Sequence, residues 1–376
     1  MAYCLISHKG QIEIFSKLEK FISHSCDLIF YPFEQIKERI LSINSTNESI
    51  QFDYSKTPIW FNQHLNSKKI MNNHDPCILL KSIKNKNEIA GFEYTMIQDG
   101  IALIKLFVWL RKQINDKIKI TEIDVDKKLL FFKEKNNLFN TKSFETISSY
   151  GENSAVIHYN PYCGNNLNIT NNHFYLLDCG SQYTCGTTDI TRTFYFGTPT
   201  DNHKLYYTLV LKGLINLSSL FFPKKTSGSQ IDVIARQFLW NKLLNYPHGT
   251  GHGVGYYSSV HEGPQGISPF NHQELCVDMI NTIEPGYYIP GKYGIRIENM
   301  VIIKEVKENK NFLQFQTLTL VPIEYNLIDK NLLTFQEKRW LLLYHENILL
   351  KLAAYLTECE VNYLRMYIRF YKNLVN

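Results

Sequence analysis

Tyr246-Pro247-His248-Gly249-Thr250-Gly251-His252-Gly253-Val254-Gly255-Tyr256-Tyr257-Ser258-Ser259-Val260-His261-Glu262-Gly263-Pro264 is the stretch on which the reading of this chain turns. It sets three histidines, His248, His252 and His261, in a glycine-rich strip. Glycine lets a backbone pass close to a ligand or take a positive φ. Histidine is the commonest metal ligand and titrates near neutrality. Such a strip reads as the wall of a metal-dependent site, and acidic residues lie on either side of it.

Upstream, Leu176-Leu177-Asp178-Cys179-Gly180 is followed by Gly186-Thr187-Thr188-Asp189-Ile190-Thr191-Arg192. Asp178 and Asp189 stand at the ends of two apolar runs joined by a glycine-containing turn, and a hairpin of that length brings them face to face. Facing carboxylates at an apolar sheet edge repel and lose hydration, and a cation between them removes both penalties. Unrelated turn aspartates are the competing reading. Downstream, Glu284 precedes Pro285-Gly286-Tyr287-Tyr288. Glu298 lies in Gly294-Ile295-Arg296-Ile297-Glu298-Asn299, where alternation puts Arg296, Glu298 and Met300 on one side. A structural Arg296–Glu298 ion pair is the alternative there. Two aspartates, two glutamates and one histidine make a mostly oxygen set that favours manganese or magnesium over zinc, although cobalt or zinc also binds. More carboxylates than one cation needs implies two ions, which roughly 3.5–4 Å apart activate water and clamp an oxyanion.

With those motifs in place, the sequence resembles the M24 metallopeptidases of the pita-bread fold, and among them the Xaa-Pro aminopeptidases of the longer, eukaryotic type. The resemblance runs from about Pro58 to the C-terminal helix. It is carried by Ala155-Val156-Ile157-His158-Tyr159-Asn160-Pro161, by both aspartate motifs, by His248 to Pro264, and by the Glu284 and Glu298 motifs. It implies an α+β pita-bread catalytic domain preceded by a partial α/β domain. It also implies that Asp178 binds one manganese ion, that Asp189 and Glu298 bridge two, and that His252 and Glu284 complete the second. His158 and His261 match substrate-contacting histidines on each side of the scissile bond, and His248 matches a third, proton-steering one. The implied reaction is attack by a hydroxide bridging the ions on the bond between an N-terminal residue and a following proline. Glu284 carries the proton, and Tyr287 and Arg296 contact substrate. Tyr288 and the Tyr256-Tyr257 pair supply either a floor for the proline ring or plain aromatic core. A prolidase-like dipeptidase, or an inactive family member acting as a binding domain, is the alternative.

Full-length relatives of this type carry two further α/β regions, and residues 1 to about 78 leave room only for the tail of the second. A shortened N-terminus is therefore expected. The expected division is 1–78 for the partial α/β domain, 79–325 for the catalytic domain and 326–376 for a helical extension. A homodimer through the catalytic domain follows from the resemblance alone.

Composition agrees with a globular enzyme: 376 residues, 44% apolar and 20% charged, with a net charge of +5 and no block of like charge. Nucleic-acid or membrane-surface binding thus has no positive support. Eight scattered cysteines without a paired framework, and no secretory or spanning segment, point to reduced thiols in a cytoplasm. Cys179, beside Asp178, reads as a buried, inert thiol.

Strand-like runs are expected at Tyr3–Ile6, Ile12–Phe15, Asp27–Tyr31, Ala155–Tyr159, Phe174–Leu177, Thr191–Phe196, Met279–Glu284 and Ile295–Ile303. Ile97, Ile101, Ile104 and Val108 at helical spacing predict one long helix over Ile89–Ile114. Thr121 with Asp124, and Thr334 with Glu337, read as helix caps. Further helices are expected over His203–Phe222, Ile231–Leu244 and Thr334 to about Leu356, with another closing the chain.

Overall fold

A computed structural model describes residues 2–17, 28–46 and 48–375. The chain divides into two compact units, Met1–Cys77 and Ile78–Asn376. In the first, β1 (Ala2–Ile6) pairs antiparallel with β2 (Ile12–Ser16), which pairs parallel with β3 (Leu28–Pro32). Asp27, the expected start of the third strand, lies outside the described residues. α1 (Ile36–Asn44) buries Ile36, Ile40 and Ile43 on one face. They form a small core with Phe15, Phe61 and Leu65, beside β4 (Ile50–Phe52), α2 (Ile59–His64) and β5 (Ile70–Asn72). The unit boundary falls within α3 (Pro76–Ser82).

The second unit opens with α4 (Lys86–Asn115), whose N-terminus is closed by an Asn85–Glu88 capping box. Its fully buried stripe is Phe92, Met96, Leu103, Phe107 and Leu110, with Ile104 beside it; Ile97, Ile101 and Val108, expected to lead, are only half-buried at its flanks. Burying such a side chain contributes roughly 1.5–3 kcal/mol. α5 (Glu122–Lys133) begins at the anticipated cap, with Thr121 and Asp124 exchanging hydrogen bonds. After β6 (Phe139–Thr141) comes the sheet that matters most for the site, ordered β11 (Ile190–Tyr195), β8 (Phe174–Cys179), β7 (Ile147–Tyr150). β8 and β11 are buried at every residue. Two very short strands, β9 (Gln182–Tyr183) and β10 (Gly186–Thr187), form the hairpin between them.

Ala155–Tyr159, expected as a strand, is not one. Residues Gly151–Ala155 make a 3-10 turn and the chain then loops. The Asn153 amide bonds both Glu122 and the Tyr159 hydroxyl, which ties this segment into a bend. α6 (Asp201–Ser218) stops short of the expected Phe222, because β12 (Phe221–Pro223) pairs with the strand β19 described below. α7 (Gly228–Trp240) likewise ends before Leu244, where Leu243 takes a φ of 58°.

β13 (Gly251–His252) pairs with β14 (Gly266–Ile267), and β15 (Ile280–Ile283) follows. The expected strand Ile295–Ile303 is two: β16 (Gly286–Ile289) pairs with β17 (Tyr293–Arg296), and the chain breaks before β18 (Asn299–Val306). β18 lies between β15 and β19 (Asn309–Thr317). α8 (Phe335–Leu352) starts at the Thr334–Glu337 cap and packs with α9 (Glu358–Val375). No helix among the described residues is long and apolar enough to cross a membrane.

Candidate active site

Each sequence-flagged acid sits at a strand end or break. Asp178 is on β8, with Thr191 of β11 opposite it. Asp189 immediately precedes β11, so the hairpin returns it to the same edge. Glu298 occupies the break between β17 and β18, where its N–H donates to the Thr191 carbonyl at 3.1 Å. Glu284 ends β15, and its N–H donates to the Thr250 carbonyl at 2.7 Å. That bond and the His252 N–H, which donates to Thr282 Oγ1 at 3.1 Å, lash the histidine strip alongside β15. A β-carbon at Gly251 would overlap the Thr282 carbonyl oxygen, so the approach requires glycine.

The donor atoms converge. One atom from each of Asp178, Asp189 and Glu298 lies within 4.8 Å of the others, and the same holds for His252, Glu284 and Glu298. His252 Nε2 is 3.4 Å from both Asp189 Oδ2 and Glu284 Oε1. Its Nδ1 lies 3.0 Å from the Gly253 carbonyl, which only accepts. Nδ1 therefore carries the proton, and the Nε2 lone pair faces the carboxylates, as a metal-binding imidazole requires.

Without a cation this cluster is electrostatically poor. Burial, then the Asp178 and Glu284 charges, pushes the Asp189 carboxyl well above the ordinary range. Burial, then Asp189 and Glu284, does the same to Glu298, and burial also raises Glu284. Asp178 Oδ1 is buried with no hydrogen-bond partner. Buried carboxylates are normally paired or bound to metal. The oxygen-rich set and the orphaned lone pairs fit divalent metal ions.

Arg296 does not pair with Glu298. The strand break turns the two apart: Arg296 Nη2 donates to Asp178 Oδ2 at 2.6 Å, while Glu298 Oε2 accepts from Thr191 Oγ1 at 2.7 Å. Arg296 Nη1 donates to the Tyr288 hydroxyl at 2.7 Å. That hydroxyl lies 2.8 Å from His248 Nε2, and His248 Nδ1 is 2.7 Å from the Gly249 carbonyl. The carbonyl fixes the proton on Nδ1, so Tyr288 donates to Nε2. Burial holds the His248 imidazole down at about 4, with the Arg296 charge adding to it.

His158 is exposed and lies near enough to lower the proton affinity of both His248 and His261. The His261 ring stands edge-on to that of His252, at 72° with centroids 4.1 Å apart. One donor atom each of His261, His252 and Asp189 also fall within 4.8 Å of one another. Tyr287 is half-buried against Tyr206, 4.9 Å between centroids. Tyr256 packs edge-on against Phe92 of α4 at 5.9 Å, a core contact. Cys179 is 1% exposed, and burial pushes its thiol up to about 12, which makes it inert.

Sequence reasoning missed the working hydroxyls of Tyr288, Thr191 and Thr282. The sequence suggests only a ring at Tyr288, but its period-2 relation to Gly286 is a signal that the two share a face, and a β-carbon at Gly286 would meet the Tyr288 hydroxyl. Nothing local marked the threonines.

A helix-covered β scaffold that gathers four carboxylates around one imidazole defines a metal-dependent hydrolase class of site. Residues 93–305 match Metallopeptidase family M24, and residues 311–369 match the C-terminal region of peptidase M24. The chain belongs to metallopeptidase family M24. It is similar to a probable Xaa-Pro aminopeptidase P of Colletotrichum graminicola, 48% identical over 73% of this chain and 46% of that one. The solved X-prolyl aminopeptidase of Caenorhabditis elegans, described as a cytosolic enzyme with a di-nuclear active site, superposes with a TM-score of 0.91 and is 33% identical. That match covers 98% of this chain and 63% of the other. Prolidase from Pyrococcus furiosus shares the fold, with a TM-score of 0.65 at 24% identity over 82% of this chain and 87% of that one. The α+β architecture is the pita-bread one of these neighbours. The chain spans about half the length of the curated relatives it matches.

Proposed function

We propose that this chain is a metal-dependent aminopeptidase that hydrolyses the bond between an N-terminal residue and a following proline. The observation that carries the reading is the convergence of Asp178, Asp189, His252, Glu284 and Glu298. The likeness to Xaa-Pro aminopeptidases supports it. In this reading Asp178, Asp189, His252, Glu284 and Glu298 would together hold two divalent ions, with Asp178 on one side of the cluster, His252 and Glu284 on the other, and Asp189 and Glu298 between them. Manganese suits the oxygen-rich donors best, with cobalt and zinc as substitutes. Divalent ions held there would supply water activation and polarisation of the scissile carbonyl.

The protein groups divide the remaining work. Glu284 takes the proton of the nucleophile and passes it to the leaving nitrogen. His158 and His261 flank the scissile bond, and one of them donates to the developing oxyanion. Arg296 anchors one oxygen of Asp178, and by donating to the Tyr288 hydroxyl it leaves that hydroxyl to donate to His248. Tyr287 and Arg296 line the substrate side. The leaving nitrogen belongs to proline, which lacks an amide hydrogen, so recognition rests on shape rather than on that donor. A partial α/β domain over 1–78, a catalytic domain over 79–325, a helical extension over 326–376, a homodimer through the catalytic domain and a cytoplasmic location belong to the same proposal.

The test is hydrolysis of a short Xaa-Pro tripeptide with added Mn2+. We expect release of the first residue, with the alanine counterpart turned over poorly. Equal turnover of both points to a broader aminopeptidase, and cleavage restricted to dipeptides points to a prolidase.

A further inference from the structure

α4 contributes none of the residues discussed above as ligands, yet Asp99 on its inner face reaches the ligand hairpin. Asp99 is fully buried. Its Oδ1 accepts from Ser181 Oγ and from the Tyr183 hydroxyl, each at 2.8 Å, and its Oδ2 accepts from Thr188 Oγ1. All three donors lie between Asp178 and Asp189 in the chain. Thr188 Oγ1 in turn accepts from the Ser181 N–H at 2.9 Å, closing the hairpin across its neck. Lys133 Nζ, also buried, sits 3.6 Å from Asp99 Oδ2 and donates to the Gly180 carbonyl at 3.2 Å.

The rest of this helix face is cut to the same hairpin. Gly91, Thr95 and Asp99 recur every four residues and so share one side of α4. A β-carbon at Gly91 would overlap the Cys185 carbonyl at the hairpin tip. A carboxylate that accepts from three hydroxyls of one eight-residue segment, Ser181 to Thr188, is a template for the shape of that segment. Thr188 is the neighbour of Asp189, and Gly180 lies two residues after Asp178. A shift of this neck therefore moves the two aspartates relative to each other.

We infer that Asp99, with Lys133 as its counter-charge and Thr188 as its contact, is a positioning residue that sets the separation of Asp178 and Asp189 and thereby the affinity for divalent metal. The inference rests on the metallopeptidase reading above. Partners that orient metal ligands typically change metal affinity about 10- to 100-fold when removed.

The experiment is titration of the metal-free full chain with Mn2+ alone, by calorimetry or chelator competition, alongside thermal unfolding of the same metal-free preparations. Thr188→Val, which removes one hydroxyl from a nearly isosteric side chain, is expected to weaken Mn2+ binding by about 10- to 100-fold. Metal-free stability should fall modestly, because the Asp99 carboxylate and the Ser181 N–H each lose a partner, but the chain should stay folded and excess Mn2+ should restore turnover. Thr188→Ser, which keeps the hydroxyl, is expected to bind as the parent does. Asp99→Asn, wherever it folds, should weaken binding at least as much as Thr188→Val. Parental Mn2+ affinity in Thr188→Val overturns this inference alone. So does an equal loss in Thr188→Ser, because the hydroxyl would then not be the cause. A parent chain that takes up no Mn2+ overturns the metallopeptidase reading and this inference with it.

Discussion

Arg296 Nη2 lies 2.6 Å from Asp178 Oδ2, while Asp178 Oδ1, on the same carboxylate, is buried with no partner. One oxygen is anchored and the other has no partner, in a residue that offers a donor atom within 4.8 Å of donor atoms of Asp189 and Glu298. A carboxylate held in this way is oriented before any ion arrives, so no side-chain freedom remains to be lost on binding.

Arg296→Lys keeps a positive charge near Asp178 but cannot span Asp178 and Tyr288 together, because lysine offers one compact donor group in place of the guanidinium fork. A hydrogen bond to a charged group is worth about 1.5–3 kcal/mol. The expected result is a fall in kcat/KM on an Xaa-Pro peptide of roughly 10- to 100-fold, with metal content retained. Parental kcat/KM in this variant would remove Arg296 from the working network.

Asp189→Asn should abolish peptidase activity while leaving the fold intact. It should also leave the metal-free protein at least as stable as the parent. Burial and two neighbouring carboxylates already disfavour the charged form of Asp189, so a neutral amide relieves repulsion. Thermal unfolding in chelator reads this directly. A clear drop in melting temperature would mean that Asp189 is a structural acid rather than a ligand.

Far from the site, His345 on α8 donates through Nδ1 to the Leu341 carbonyl at 2.7 Å and accepts at Nε2 from the Ile323 N–H at 3.1 Å. Burial holds its pKa down at about 3, against about 6.5 in an unfolded chain. Between those values the unfolded chain binds a proton that the folded one refuses, so stability declines as pH falls from 6.5 towards 3 and is unaffected by this group above 6.5. At pH 5 the contribution is about 2 kcal/mol. Urea midpoints at pH 7.5 and pH 5 should therefore draw apart less in His345→Gln than in the parent. Identical pH slopes would contradict the burial argument.

Much of the site was legible because its signals are local. The acids end apolar runs, and the two caps, Thr121 with Asp124 and Thr334 with Glu337, are pairs three residues apart. What escaped depends on distant partners. Ala155–Tyr159 has strand composition, but Asn153 bridging Glu122 and Tyr159 bends it. Strand alternation put Arg296 and Glu298 on one side, and the break between β17 and β18 separated them. Phe221 and Phe222 extend a helical pattern, and pairing with Gln314 and Leu313 overrode it. The role of Asp99 has no local signature, since the hydroxyls it receives lie more than eighty positions away.

The central claim, that five side chains share two cations, is tested most directly by the metal content of the purified chain. Mass-spectrometric metal analysis after equilibration with Mn2+ and desalting should give close to two ions per chain, falling clearly in Asp189→Asn. A correctly folded parent that retains no divalent metal under those conditions would contradict the account.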